Sequence, residues 1–273
     1  MANSPSGDSV VDRIVRVFAS FPTGSGWLPL AELARRANLP QATAFRLVRQ
    51  LARHGLLEIS CEGSVRVGLR LWEVATRNSP TVALRDAALP FMEDVQQILN
   101  QNVNLAILEG WDVLFVERLS RRGSVENRAN VAGRMPVHVS SAGLALMSYQ
   151  PKNIQADYLS ELEETPGYPS SEQFRGLLAE VALRGYAQLA GVVDPCTQGI
   201  AVPVADCSGR TVAALGVVVP LTELRLQSIV PVLQTAARGV GRQLSDAQRN
   251  DPSMEWIRRN RASPAMPAVR SYQ

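Results

Sequence analysis

Histidine and cysteine are scarce in this 273-residue chain, at two and three copies. Cys61, Cys196 and Cys207 are scattered without paired metal-ligand spacing, so neither a structural zinc site nor a disulfide framework is expected. Long apolar runs are lacking as well. The longest, Val212 to Leu221, includes Gly216 and Pro220 and falls short of the roughly twenty apolar residues of a membrane-spanning helix, so no membrane partner is expected. Asp8 and Asp12 precede the first cation, Arg13, the reverse of a secretion signal; the chain is expected to be cytoplasmic, reduced and metal-free. Gly24-Ser25-Gly26 has neither the further glycine and lysine nor the strand-helix setting of a phosphate loop, and no cofactor is called for. What remains is 46% apolar and 19% charged, enough for one large or two ordinary domains and too apolar for a wholly disordered chain.

Charge is distributed unevenly, which is a statement about partners rather than fold. Residues 1–78 hold ten arginines against six acids, net +4; residues 79–245 are net −3 and residues 246–273 net +2. Between Glu32 and Glu58 stand Arg35, Arg36, Arg46, Arg49 and Arg53 with no acid among them, the first place to look for phosphate contacts. The plainer alternative is a solvated charged surface.

Three short helices are predicted in this basic segment. Val11, Ile14, Val17, Phe18 and Phe21 recur at helical spacing before the turn residues Pro22 to Gly26. A second helix is predicted from Pro29 to Ala37, burying Leu30, Leu33 and Ala34, and a third over Gln41 to His54. The third puts Ala44, Leu47, Val48 and Leu51 on one face and Ala42, Arg46, Arg49 and Arg53 opposite, with Gly55 suited to end it. Leu57 to Ser60 and Val65 to Gly68 then read as a hairpin around Gly63. Helix, helix, short turn, cationic helix and hairpin is the order of a winged helix-turn-helix, whose third helix enters the major groove of double-stranded DNA. Arg46 and Arg49 are candidates for guanine edges or phosphates, Gln41 and Thr43 for bases or backbone, Ala42 for the same outer face, Phe45 for a thymine methyl, and Arg66 of the wing for a phosphate or the minor groove.

Beyond this segment, Leu69 to Arg77 is a short helical pattern, Asn78-Ser79-Pro80 breaks it, and Leu84 to Asn100 resumes as a long amphipathic helix. Val103 to Glu109, Val113 to Leu119, Ile200 to Val204 and Arg210 to Val219 read as strands. Ile154 to Glu164, Ser171 to Leu183 and Leu221 to Leu244 read as helices. Strands and helices without regular alternation imply an α+β fold with a mainly antiparallel sheet flanked by helices.

The string from Leu30 to Leu51, with its Leu39-Pro40-x-x-Thr43-x-x-Arg46-Leu47 core, and the following Gly55-Leu56-Leu57 closely resemble the helix-turn-helix of IclR-type bacterial transcription regulators. Val67 to Leu71 resembles the family's wing-to-linker junction, and Met135 to Leu146 its signature segment. Arg184-Gly185-Tyr186, Gly199 to Val204 and Val212 to Val217 resemble later landmarks, so the resemblance spans residues 9–245. It implies a winged helix-turn-helix domain at 1–68, a helical linker at 69–81 and a GAF/PAS-like effector-binding and oligomerisation domain at 82–245, in a homodimer or a tetramer built from dimers. Residues 246–273, with Pro252, Pro264 and Pro267 amid arginines, lie outside it and are predicted to be a disordered basic tail; docking of Trp256 and Ile257 on a neighbouring subunit is the alternative.

By the same resemblance the effector pocket is lined by Met135, His138, Ser140, Ser141, Ala142, Leu189, Gln198, Gly199, Gly216 and Val218. Family members that bind small oxo-acids carry an aspartate, a cysteine and two serines where this chain has Leu189, Gly199, Gly216 and Val218. Burying a small polar acid without those partners costs roughly 2–7 kcal/mol per unpaired group. The glycines leave space and the apolar neighbours supply wall, so a larger ligand is expected, an aromatic or other organic acid, its carboxylate pairing with Arg128 or Arg134 or bonding Ser140 and Ser141. His138 beside two serines has no orienting acid, and a capping serine with a hydrogen-bonded histidine is the plainer reading, so no catalytic residue is assigned.

The expected function is that of a ligand-responsive, sequence-specific transcription regulator, a repressor by the family's commoner mode. An enzyme built on the middle domain is disfavoured by the scarcity of catalytic constellations. A non-specific structural DNA binder would leave the sensor-like domain without a task.

Overall fold

The computed structural model describes residues 8–22, 26–77, 79–163, 170–222 and 225–250. The chain divides into two compact units between Ser79 and Pro80.

The first unit opens with α1 (Val10–Ala19). Ser9 caps it: its Oγ accepts from the Asp12 backbone, while the Asp12 carboxylate accepts from Ser9 and is held below the usual carboxylate range by those bonds. After β1 (Leu28–Pro29) come α2 (Leu30–Arg36), α3 (Gln41–Arg53), β2 (Leu57–Ile59), β3 (Ser64–Val67) and α4 (Leu69–Arg77). The helix expected from Pro29 starts one residue later, because Pro29 is extended and pairs with Ser64 in an antiparallel sheet of order β1-β3-β2. Asn38, at φ 50°, turns the chain between α2 and α3, and Gly55, at φ 70°, leads it out of α3. Val17, Leu33, Ala44, Leu47, Val48, Leu57 and Val65 fill the core. The wing closes tightly on α3: a Cβ on Gly68 would lie 2.2 Å from the Gly55 carbonyl oxygen.

The second unit is a six-stranded antiparallel sheet of order β6-β5-β4-β9-β8-β7. Its strands are β4 (Asn102–Glu109), β5 (Asp112–Leu119), β6 (Arg134–Pro136), β7 (Ala187–Ala190), β8 (Thr197–Ala205) and β9 (Thr211–Pro220). One face packs α5 (Pro80–Leu99) and α9 (Leu226–Asn250) on Val103, Leu105, Ile200, Val202, Leu215 and Val217. The other packs α6 (Ser141–Met147), α7 (Lys152–Glu163) and α8 (Ser171–Arg184) on Ala106, Phe115, Ala187, Ala201 and Ala214. Strands covered on both sides lose the polar alternation of a half-exposed sheet, which is why β8 and β9 read as near-continuous apolar runs.

Four elements of this unit differ from expectation. Pro80, expected to break a helix, is the first residue of α5, a position where its missing N–H costs nothing. The closing helix starts at Leu226 rather than Leu221, and β6 and β7 had no sequence signal. Residues 246–250, expected to open a disordered tail, instead continue α9 as helix, because they extend a helix already begun; the rest of the tail, with Trp256 and Ile257, lies outside the described residues, as does most of the Gly24-Ser25-Gly26 turn.

Candidate nucleic-acid interface and ligand cavity

The outer face of α3 is mainly polar and cationic because most of its apolar residues are committed to the core. Ala44, Leu47, Val48 and Leu51 are buried, while Gln41, Ala42, Phe45, Arg46, Arg49 and Arg53 are exposed and Thr43 is half-buried. The Arg49 guanidinium stacks on the Phe45 ring at 5.3 Å, which holds both side chains against the helix surface. Two arginines of the acid-free stretch are committed elsewhere: Arg35 and Arg36 both bond Glu32, at 2.6 Å, and hold its carboxyl at about 2. Among the described residues, that leaves Arg46 and Arg53 without an ion pair or stacking partner on this face. On the wing, Arg66 lies 2.5 Å from the Glu58 carboxylate and over the Trp27 ring at 4.6 Å. Trp27 was not singled out from sequence, and an exposed tryptophan beside a strand of two residues gives no periodic signal.

The second unit contains a cavity between the sheet and α6, with about 70 Å³ available to the centre of a water molecule. Strand register builds its floor. Leu189 pairs with Gly199, Gly199 with Val218, and Gly216, two residues along the same strand face, with Asn104. The four positions that the family resemblance picked out therefore form one continuous patch of the sheet. Met135, Ser140, Ser141 and Ala142 complete the wall from the segment that enters α6. Ser140 Oγ accepts from the Gly143 backbone at 3.3 Å and caps α6.

Two of the expected lining residues lie outside the cavity. Gln198 belongs to the opposite face of β8, as strand alternation requires, and bonds Gln188 at 2.7 Å and the Pro220 carbonyl at 3.4 Å. His138 sits in the 3-10 turn Val137–Val139, which directs its ring to Tyr158, with Nδ1 2.8 Å from the hydroxyl. That hydroxyl accepts the His138 backbone N–H, so its own proton is available to Nδ1. Burial pulls the imidazole down to about 4, and the ring is neutral at physiological pH.

Of the expected carboxylate partners, Arg134 is exposed, bonds the Glu109 carbonyl and does not line the cavity. Arg128 stands at the rim, 3.8 Å from Asp194. Glu126, Asn127, Asp194, Phe115 and Asn104 also line the cavity and were missed by sequence reasoning. Asn104 carried a weak signal, an amide set between the apolar Val103 and Leu105.

The chain matches the family model for the bacterial transcriptional regulator IclR C-terminal domain over residues 79–245, and that for the IclR helix-turn-helix domain over residues 10–59. It belongs to the IclR family of bacterial transcription regulators. A solved structure of an IclR homologue from Microbacterium hydrocarbonoxydans, complexed with 4-hydroxybenzoate, is 39% identical, with a TM-score of 0.81 over 87% of this chain and 100% of that one. The Pca regulon regulatory protein of Pseudomonas putida is 26% identical over 247 residues, covering 85% of this chain and 82% of its own. The Escherichia coli regulator XynR is 23% identical over 210 residues, covering 75% and 83%. This IclR-family regulator is thus a DNA-binding transcription factor and not an enzyme. No helix among its described residues is long and apolar enough to cross a membrane.

Proposed function

We propose that this regulator binds an aromatic carboxylic acid in the cavity above Gly199 and Gly216 and that occupancy changes its affinity for a DNA operator, as in a repressor released by its ligand. The observation that carries the reading is the floor itself: Leu189, Gly199, Gly216 and Val218 are contiguous and provide no side-chain hydrogen-bonding group. A flat ring fits a surface made of two glycines and two aliphatic side chains, whereas a small oxo-acid would leave its polar atoms unpaired there. The 4-hydroxybenzoate complex of the 39% identical homologue supports the same ligand class. A homodimer, or a tetramer of such dimers, would place two copies of α3 in successive major grooves of a pseudo-palindromic operator. Gln41, Ala42, Thr43, Phe45, Arg46 and Arg49 would meet the groove, and Arg66 the backbone beside it.

The test is a gel shift on DNA upstream of the regulator's own gene at fixed salt with excess random competitor, repeated with 4-hydroxybenzoate, benzoate and glyoxylate. The expected result is roughly 10³-fold preference for the operator, weakened by an aromatic acid and indifferent to glyoxylate. Glyoxylate acting in place of the aromatic acids overturns the reading.

A further inference from the structure

Asn104 lies on the cavity face of β4, opposite Gly216, and is only 6% exposed. Its amide orientation follows from its neighbours. Asn127 Oδ1 accepts the Ala129 backbone N–H at 3.0 Å, so the atom that Asn127 turns toward Asn104 is Nδ2, which donates to Asn104 Oδ1 at 2.7 Å. With its oxygen committed, Asn104 presents Nδ2, two donors and no acceptor, to the cavity. No acceptor among the described residues bonds it. Such a buried amide needs an acceptor from whatever occupies the cavity: water when it is empty, a ligand atom when it is filled.

Ser141 Oγ is a second polar group on this wall, over Gly199; Ser140 Oγ beside it accepts the Gly143 N–H in capping α6 and keeps its own proton to donate. The rim has the opposite chemistry. The Arg128 side chain is 55% exposed and its charge is offset by Asp194, while Glu126 adds a further carboxylate. An anion gains little at a rim that is net negative, and more at buried neutral donors, where hydrogen bonds to charge are strongest.

Resting on the aromatic-acid reading above, we propose that Asn104 Nδ2, with Ser141 Oγ, receives the carboxylate of the ligand, so that the acid is selected by neutral donors of the cavity wall rather than by Arg128. Asn127 is a positioning residue: by donating to Oδ1 it keeps the donor end of Asn104 turned to the ligand.

Calorimetric titration of the full-length protein with 4-hydroxybenzoate and its neutral isostere 4-hydroxybenzamide tests this. Asn104→Ala is expected to weaken the acid about 10- to 100-fold, the loss of a hydrogen bond to a charged group. Asn104→Asp keeps the bond from Asn127 but puts a carboxylate against the ligand. It is expected to weaken the acid more than 100-fold and to invert the preference toward the amide, a change that misfolding does not produce. Arg128→Met is expected to shift acid affinity by no more than about threefold. Acid binding that survives Asn104→Ala and is abolished by Arg128→Met overturns the proposal while leaving the aromatic-acid reading intact. Wild-type protein that binds neither compound overturns both. Should Asn104→Asp fail to fold, the contrast between Asn104→Ala and Arg128→Met decides alone.

Discussion

Gly199 and Ser141 approach so closely that a Cβ on the glycine would stand 2.6 Å from the serine Oγ and 3.4 Å from its Cβ. The glycine is what lets α6 settle on β8 and keeps the floor of the cavity flat. Gly199→Ala is therefore expected to destabilise mildly, since the atom it meets ends a rotatable side chain, and to weaken aromatic-acid binding by displacing Ser141. Since the offending atom is Oγ, adding Ser141→Ala is expected to return most of the stability, and the two changes are non-additive in a double-mutant cycle read by denaturant unfolding. Additive costs would place the strain elsewhere.

How far the sequence discloses this arrangement depends on which force sets each feature. Helix α3 was readable because one side must be apolar and the other polar, so Leu47 and Arg46 declare their faces. Strands β1 and β7 were not, since Leu28–Pro29 and Ala187–Ala190 are held by partners remote in sequence, Val65 and Ser64 in one case and residues 198–201 in the other. The cavity was half-readable. Resemblance located Leu189, Gly199, Gly216 and Val218, but strand register was needed to show that they touch. It failed for Gln198 because both faces of β8 are buried and alternation leaves no polar trace. It failed for His138 because one 3-10 turn decides which way the ring points.

The arginines of the first unit divide by what already holds them. Arg46 has no partner among the described residues, whereas Arg35 is bonded to Glu32 through two nitrogens, at 2.8 and 2.6 Å. Arg46→Ala is expected to weaken operator binding by about 1–3 kcal/mol, the range for a base-reading or phosphate-holding arginine, with Arg35→Ala indistinguishable from wild type. Fluorescence anisotropy on the operator at one salt concentration separates them. Equal losses would move the interface toward α2.

His138 ties stability to pH. Its folded value of about 4 lies below the ordinary 6.5 because burial disfavours the imidazolium, so between those values the unfolded chain binds the proton more readily. The contribution is fully present above pH 6.5 and is lost as pH falls toward 4. Thermal melts across that range are expected to show a falling midpoint, and His138→Asn, which cannot titrate, to flatten that part of the profile. Tyr158→Phe removes the hydroxyl beside Nδ1 and is expected to lower the midpoint at pH 7 as well. A slope unchanged by His138→Asn would assign it to the carboxylates.

Arg66 offers the sharpest contrast with α3. Its guanidinium is held between the Glu58 carboxylate and the Trp27 ring, a geometry that fixes it at the wing and suits a phosphate better than a base edge. Arg66→Ala is expected to weaken operator and random DNA alike and to reduce the slope of log affinity against log salt by about 0.9, one phosphate contact. Glu58→Gln releases the guanidinium from its competitor, and the expected outcome is tighter binding to both DNAs with the slope retained. Trp27→Ala removes the platform and is expected to act in the direction of Arg66→Ala but more weakly. Loss confined to the operator, with random DNA unaffected, would instead make Arg66 a reader of sequence, inserted in the minor groove.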